Sequence, residues 1–152
     1  MENYILNHID PEPEYLHRLW RATNIELLNG RMASGPLQGR LLKMLVQMIR
    51  PERIVEIGTF SGYSALCMAE GLDDGGMVYT FEIDDEIEDF ARKWIDNSPY
   101  GHRVKLIIGD AISCIPQLGL TFDMAFIDGD KRTYVEAYET VLDVDRDRKS
   151  VV

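Results

Sequence analysis

Acidic side chains stand where four apolar segments of this sequence give way to a glycine or a turn. The acids are Glu56, Glu82, Asp110 and Asp128. Carboxylates accept hydrogen bonds from sugar hydroxyls, attract cationic groups and bind divalent metal ions. Any one of these acids could equally cap a helix or face solvent in a loop. Four such segment ends in succession favour a shared binding site.

Residues 53–64, RIVEIGTFSGYS, combine an apolar strand, a glycine turn and a helix start. Glycines let the backbone approach a ligand closely, and a helix start offers unpaired N–H groups. The spacing does not match G-x-G-x-x-G, since Phe60 and Tyr63 replace the later glycines, and no Gly-Lys pair forms a phosphate-binding loop. The remaining pattern, E-x-G-x-x-x-G, places an acid beside the turn, which disfavours phosphate. It suits the amino group and sulfonium of S-adenosylmethionine.

Several polar residues near these segment ends could either bind a ligand or cap a helix. Glu82 ends an apolar segment at about the distance expected of an acid that binds ribose hydroxyls, although with residues 84–86 it could instead favour a helix N-terminus. Asp110 is predicted to contact an adenine edge or to cap the short helix that follows, and the two roles are compatible. Ser61 and Ser64 lie in the turn and the first helical turn, where capping would explain one of them.

Apolar periodicity predicts the elements that must position these residues. One helix is predicted from Asp10-Pro11-Glu12 to Gly30, and a second from Ser34-Gly35-Pro36 to Pro51. The predicted strands are 54–57, 77–81, 104–108 and 122–127, and the predicted helices between and after them are 63–70, 84–98, 112–118 and 131–142. Repeated strand–helix units predict an α/β fold with a parallel sheet and helices on both of its faces.

The apolar pattern stops after Leu142. Residues 143–152 mix both charges without an apolar period and are predicted to be a tail outside the native domain. The predicted domain is therefore 1–142, with N-terminal helices in 1–50 and cofactor-binding strand–helix units in 51–142. A four-stranded parallel sheet that ends there has one bare edge, which predicts either a partner at that edge or a shortened domain.

Composition restricts the class of protein. The 152 residues are 45% hydrophobic and 28% charged, which fits one globular domain. A net charge of −10 argues against a broad surface for nucleic acid or anionic lipid. Cys67 and Cys114 lie among apolar residues and are predicted to be reduced, as in a cytoplasmic protein. With no signal peptide and no apolar run of about 18 residues, no membrane association is expected.

Five segments together resemble the class I S-adenosylmethionine-dependent O-methyltransferases, in the bacterial family related to catechol and caffeoyl-CoA O-methyltransferases. They are SGPLQGRLL (34–42), VEIGTFSGYSAL (55–66), FEID (81–84), GDA (109–111) and FDMAFIDGDKRTY (122–134). The resemblance implies a Rossmann-like methyltransferase fold. In that family a fifth strand ends in an Asp-Asn pair and two further strands complete the sheet. Nothing after Leu142 matches them, so the chain resembles a family member that is truncated after its fourth strand.

The resemblance also implies a cofactor site for S-adenosylmethionine. The implied residues are Ser34, Glu56, Gly58, Ser61, Gly62, Ser64, Glu82, Asp110, Ala111 and Asp128. The backbone around Ser34 would close over the methionine end, Glu56 would lie near its amino group and Ser64 would hold its carboxylate. Glu82 would bind the ribose, and Asp110 with the next residue would frame the adenine.

Asp128 and Lys131 are the residues that the resemblance implies in catalysis. Methyl transfer is an in-line displacement, so an acceptor oxygen must be aligned behind the methyl group. Asp128 would be the first ligand of a divalent cation, usually Mg²⁺, which lowers the pKa of the acceptor hydroxyl. Lys131 matches the proposed general base. A free lysine has a pKa of about 10.4, so this role requires burial or a nearby cation; the alternative is an exposed lysine at a helix start.

The predicted function is therefore metal-assisted transfer of a methyl group from S-adenosylmethionine to a hydroxyl of a small, catechol-like aromatic acceptor. One alternative is methylation of a tRNA hydroxyuridine by the same family, which the acidic charge disfavours. Another is a catalytically incomplete fragment that binds the cofactor and pairs through its bare edge. A nicotinamide oxidoreductase is disfavoured by the glycine spacing. Relatives are often homodimers built through N-terminal helices, which implies an interface within residues 4–28.

Overall fold

The computed structural model describes residues 2–6 and 8–144. Its strands are β1 (Arg53–Ile57), β2 (Met77–Glu82), β3 (Val104–Ile108) and β4 (Met124–Ile127). Its α-helices are α1 (Glu2–Leu6), α2 (Glu14–Glu26), α3 (Pro36–Ile49), α4 (Tyr63–Gly71), α5 (Glu88–Asp96), α6 (Ala111–Cys114) and α7 (Tyr134–Val144). Short 3-10 helices cover Gly30–Met32, Asp85–Ile87, Gly101–Arg103, Pro116–Leu118 and Lys131–Thr133.

The four strands form one parallel sheet in the order β3-β2-β1-β4. The register places Ile54 of β1 beside Val78 of β2 and Met124 of β4, and these side chains pack under α3 and α4. Successive strand residues face opposite sides, so Val55 packs on the other face, with Val141 of α7. The predicted α/β fold with helices on both faces of a parallel sheet is confirmed.

The first long helix differs from its predicted bounds. It begins at Glu14, because Pro13 at its N-cap keeps extended backbone angles (φ −58°, ψ 143°). It ends at Glu26 rather than at Gly30, which instead begins a 3-10 helix. A Cβ on Gly30 would lie 2.5 Å from the carbonyl oxygen of Thr23, so this chain reversal requires a glycine.

The residues before α2 form polar contacts with helices α3 and α4. Asp10 pairs with Lys43 of α3, and the Tyr63 hydroxyl at the start of α4 donates a hydrogen bond to Glu12. Arg40 of α3 donates to both carboxylate oxygens of Glu70 on α4. The acids predicted to start a helix therefore serve instead as long-range partners of α3 and α4.

The last strand and helix lie at one edge of the sheet. Strand β4 pairs with β1, and the Asp123 carboxylate just before it accepts hydrogen bonds from the backbone N–H groups of Glu52 and Arg53 at 2.9 and 3.0 Å. In the described part of the chain no strand covers the other side of β4. Helix α7 continues through Val144, beyond Leu142, and residues 145–152 of the predicted tail lie outside the described residues.

None of the helices in the described ranges is both long and apolar enough to span a membrane. The domain bounds of the sequence analysis stay a prediction.

Candidate functional site

An open cleft of about 730 Å³ lies at the carboxyl ends of β1, β2 and β4. Open α/β sheets bind their ligands at this end of their strands. Seven of the predicted site residues line the cleft: Ser34, Gly58, Ser61, Ser64, Glu82, Asp128 and Lys131. The other four, Glu56, Gly62, Asp110 and Ala111, are not part of its lining. The topology thus brings together residues that are almost a hundred positions apart in the sequence.

Glu82 is held in place by two backbone N–H groups. Phe60 donates to Oε2 at 2.7 Å and Asp84 donates to Oε1 at 3.0 Å. Phe60 has a φ of 48°, a left-handed conformation in which this N–H meets the carboxylate. Glu82 is 9% exposed and lines the cleft. Each carboxylate oxygen has a further lone pair, so Glu82 can accept hydrogen bonds from ligand hydroxyls without losing its own supports.

Gly58 is required by the packing of the protein itself. Its φ is +102°, and a Cβ there would lie 2.5 Å from the carbonyl oxygen of Asp128. The turn after β1 and the loop after β4 therefore touch through their backbones. Gly62 is the left-handed N-cap of α4, and a Cβ on it would meet the side chain of Ile95. Gly62 thus shapes the turn from beneath the cleft.

Glu56 lies fully buried under the turn, with both oxygens bonded to hydroxyls. Ser64 of α4 donates to Oε1, and Thr80 of β2 donates to Oε2, each at 2.5 Å. Thr80 in turn lies 2.5 Å, oxygen to oxygen, from Thr59 in the turn. Burial raises the pKa of Glu56 to about 8, against the two hydroxyl bonds, and the charges of Asp128 and Glu82 raise it further. Glu56 is therefore an internal support of the site.

Asp110 caps the short helix that follows it. Its carboxylate accepts hydrogen bonds from the N–H groups of Ile112 and Ser113 and from the Ser113 hydroxyl. The capping role considered from the sequence is confirmed, while contact with an adenine stays a prediction. Ala111 packs in the core beside Ile115.

Asp128 and Lys131 both line the end of the cleft that follows β4. Burial raises the pKa of the half-buried Asp128, and the charge of Lys131 opposes that rise. Lys131 is exposed at the start of a 3-10 helix, so burial does not provide the environment that a lysine base requires. Asp130 caps that helix and pairs with Arg132, outside the cleft lining.

The described ranges contain no group of three or more His, Cys, Asp or Glu residues placed to hold a metal ion. Mg²⁺ prefers near-octahedral oxygen coordination. Asp128 alone does not fit that requirement.

One wall of the cleft was not predicted from the sequence. The segment between α2 and α3 contributes Leu27, Leu28, Asn29, Met32 and Ala33. Leu28 is 88% exposed and Met32 is 70% exposed. Because the apolar period predicted a helix up to Gly30, no local signal in the sequence marked Leu27 and Leu28 as part of this wall.

Comparison with known proteins gives one consistent group. A family model described as O-methyltransferase matches residues 7–150. A catechol O-methyltransferase of Niastella koreensis is 37% identical over 116 residues, covering 74% of this chain and 52% of the relative. A catechol O-methyltransferase of Mycobacterium tuberculosis is 35% identical, covering 69% of this chain and 48% of the relative. The chain spans about half the length of the curated relatives it matches.

Solved structures agree with this grouping. The S-adenosylhomocysteine-bound methyltransferase PaMTH1 of Podospora anserina superposes with a TM-score of 0.88 at 31% identity, covering 93% of this chain and 61% of that one. An O-methyltransferase from Bacillus cereus, in complex with S-adenosylhomocysteine, superposes with a TM-score of 0.86 at 31% identity, covering 95% of this chain and 67% of that one.

Proposed function

This chain belongs to the O-methyltransferase family, and from that premise we propose that it binds S-adenosylmethionine in the cleft and transfers its methyl group to a hydroxyl of a small aromatic acceptor. The observation that carries the proposal is Glu82, held by the N–H groups of Phe60 and Asp84 with lone pairs left for ligand hydroxyls. Similar structures with bound S-adenosylhomocysteine support the cofactor. Relatives named catechol O-methyltransferase support the acceptor class.

In this proposal the cofactor lies across the carboxyl ends of the strands. Glu82 accepts hydrogen bonds from the ribose hydroxyls. The methionine carboxylate meets Ser64 and the free N–H groups at the start of α4, where a helix N-terminus favours negative charge. Ser61 and the backbone near Ser34 enclose this methionine end. The adenine extends toward Asp110, whose carboxylate keeps its capping bonds.

The acceptor lies at the Asp128 and Lys131 end of the cleft. The displacement is in line, so the acceptor oxygen must approach the methyl carbon from the side opposite sulfur. Lys131 is the proposed group that accepts the hydroxyl proton at Nζ, and this role requires the bound acceptor and cofactor to cover the side chain from solvent. The Asp128 carboxylate orients the acceptor hydroxyl, and its charge favours the resulting ammonium group.

A divalent cation is implied by the resemblance rather than by the described residues. Bound Mg²⁺ would supply a Lewis acid that lowers the pKa of the acceptor hydroxyl. Asp128 would be one of its ligands, but the remaining ligands are not among the described residues. The proposed reaction therefore contains no metal step.

A second candidate is cofactor binding without turnover. It is favoured by the lone Asp128 carboxylate, because the described residues contain no group placed to hold a metal ion. Homodimer formation through residues 4–28 also remains a proposal; Tyr4 and Ile25 are among the exposed apolar side chains there.

The test is calorimetric titration of S-adenosylhomocysteine into the full chain. We expect saturable binding that Glu82→Ala abolishes and that Asp85→Ala retains. The Asp85→Ala substitution removes one negative charge from the same region, but Asp85 does not line the cleft. Absence of binding by a chain that is folded by circular dichroism would refute the cofactor assignment. With binding established, methyl transfer from S-adenosylmethionine to catechol, lost in Lys131→Met, supports the enzyme. Binding without transfer to any hydroxylated aromatic or to tRNA supports the second candidate.

A further inference from the structure

Residues 10–13, DPEP, form a short strap that leads into α2. Each acid in it precedes a proline, which fixes its own φ at about −65° and disfavours helical angles in the residue before it. Asp10 pairs with Lys43 of α3, and Glu12 accepts a hydrogen bond from Tyr63 at the start of α4. A segment that prolines already restrict loses little further conformational freedom when it forms such contacts.

The Glu12 carboxylate joins three elements of the fold. One oxygen, Oε1, accepts the hydrogen bond of the Tyr63 hydroxyl on α4. The other, Oε2, lies 3.0 Å from Nδ1 of His17 on α2. The Glu12 side chain is 11% exposed, whereas that of His17 is 51% exposed. Glu12 therefore connects the strap and α2 to the start of α4.

Tyr63 connects this carboxylate with the cleft. It is the first residue of α4, between Gly62 of the turn and Ser64, and it lines the cleft although it is almost fully buried. Its hydroxyl end is tightly packed, since a Cβ on Gly39 of α3 would lie 3.0 Å from the hydroxyl oxygen. Burial raises the pKa of Tyr63, so the hydroxyl keeps its proton and needs an acceptor. Loss of Glu12 leaves a buried donor without this bond, which favours a shift of the ring and of the first turn of α4.

We propose that Glu12 is a positioning residue for the cofactor cleft, which acts through Tyr63 to hold the first turn of α4 in the conformation that binds the methionine end of the cofactor. This inference rests on the proposed function and deepens it. Glu12 does not line the cleft, so its effect on the ligand passes through Tyr63. Because coupling between two sites is reciprocal, a bound cofactor also stabilises the strap on α4.

The test is a double-mutant cycle on S-adenosylhomocysteine affinity, measured by calorimetry with the full chain. Glu12→Ala and Tyr63→Phe each remove one partner of the hydrogen bond, and each is expected to weaken binding by about tenfold. The double variant should lose no more affinity than either single variant, because the bond is already absent. Tyr63→Phe keeps the ring and carries the test if Glu12→Ala does not fold. Additive losses would overturn the inference.

Two control variants separate the hydrogen bond from the charge. Glu12→Gln keeps an acceptor oxygen for the Tyr63 hydroxyl and should bind S-adenosylhomocysteine almost as the wild type does. Glu14→Ala removes an exposed carboxylate two positions further along the chain and should also retain the affinity. A loss in either control equal to that in Glu12→Ala would overturn the inference, because the effect would then not depend on the bond to Tyr63.

Two further measurements separate positioning from a purely structural role, which would lower the free energy of unfolding and leave the affinity of the folded chain unchanged. 5′-Methylthioadenosine lacks the amino-acid end, so its affinity should be the same in the wild type and in Glu12→Ala. Saturating S-adenosylhomocysteine should slow hydrogen exchange of residues 8–17 in the wild type and not in Tyr63→Phe. Equal S-adenosylhomocysteine affinities in the wild type and both single variants would overturn the inference and leave the proposed function intact. A folded wild-type chain that binds no S-adenosylhomocysteine would overturn both.

Discussion

Arg40 on α3 donates to both carboxylate oxygens of Glu70 on α4, with Nη1–Oε1 and Nη2–Oε2 distances of 3.2 and 2.5 Å. The side chains are 3% and 9% exposed, and Lys43 donates to the same carboxylate at 2.9 Å. This bidentate pair joins two helices on one face of the sheet. Because the first turn of α4 carries Ser64, the pair also holds part of the cleft.

Removal of the Glu70 carboxylate is expected to be costly. Glu70→Ala leaves the Arg40 guanidinium buried without its bidentate partner, and such a loss destabilises a fold by about 3–5 kcal/mol. Urea denaturation measures the free energy of unfolding. Glu88→Ala is the matched control, because Glu88 pairs with Arg92 on the exposed side of α5, where a pair is worth about 0.5 kcal/mol or less. Equal small effects of both changes would contradict a structural role for the buried pair.

Gly58→Ala is expected to damage both stability and binding. The new Cβ meets the Asp128 carbonyl oxygen at 2.5 Å, and the φ of +102° is unfavourable for alanine. Backbone strain and overpacking together predict a loss of about 2–5 kcal/mol. Thermal unfolding and S-adenosylhomocysteine titration measure the two effects.

Gly75→Ala is the control for Gly58. Gly75 has a φ of +86° but nothing within 4 Å of a Cβ. The Gly75→Ala substitution should therefore lower the free energy of unfolding through backbone strain alone, by about 1–2 kcal/mol. It lies outside the cleft lining, and no change in affinity is expected. A Gly58→Ala chain as stable as Gly75→Ala would show that the loop after β4 moves aside at no cost.

The stability of the fold is expected to depend on pH through Glu56. Its pKa is raised from an ordinary value of 4.5 to about 8 in the folded chain. Between these values the folded state retains a proton that the unfolded state has lost, so the free energy of unfolding falls as pH rises from about 4.5 to about 8 and then levels off. Other titrating groups contribute equally to the free energy of unfolding of the wild type and of Glu56→Gln. The wild-type value minus the variant value, plotted against pH, should therefore show this slope. A flat difference would mean that Glu56 is ionised in the folded chain at neutral pH.

Mg²⁺ is expected to change the affinity for S-adenosylhomocysteine by less than about twofold, since one carboxylate is a poor site for this ion. The check is the same titration with and without Mg²⁺, in the wild type and in Asp128→Asn. A large increase in affinity with Mg²⁺ that Asp128→Asn removes would show that ligands beyond the described residues complete a metal site.

The sequence predicts the fold well because its signals are local. Apolar runs bounded by glycine and proline mark each strand, and the topology of a parallel sheet then brings the strand ends together. Glu82, Asp128 and Lys131 line the cleft for this reason. Glu82 is the last residue of β2, Asp128 follows β4 directly, and Lys131 comes four residues after the end of β4, so the strand ends place all three.

Features that depend on distant partners were not predictable. Asp10 and Glu12 look like helix-start residues, yet their side chains bond to Lys43 and Tyr63, 33 and 51 positions away. Glu56 looks like a cofactor ligand, yet the hydroxyls of α4 and β2 enclose it. The cleft wall at Leu28 was missed because only the three-dimensional path of the α2–α3 segment places it there.

The position of β4 beside β1 has a consequence for the order of events on the ribosome. The hydrogen bonds from Glu52 and Arg53 to Asp123 span 71 and 70 residues, and both β2 and β3 are synthesised in that interval. At a synthesis rate of about 5–20 residues per second, β4 is made roughly 4–14 seconds after β1, and one edge of β1 stays unpaired until then. During that time the backbone N–H and C=O groups along one edge of β1 have no strand partner. A chaperone that recognises open strand edges would find its target in this interval, before Ile127 leaves the exit tunnel.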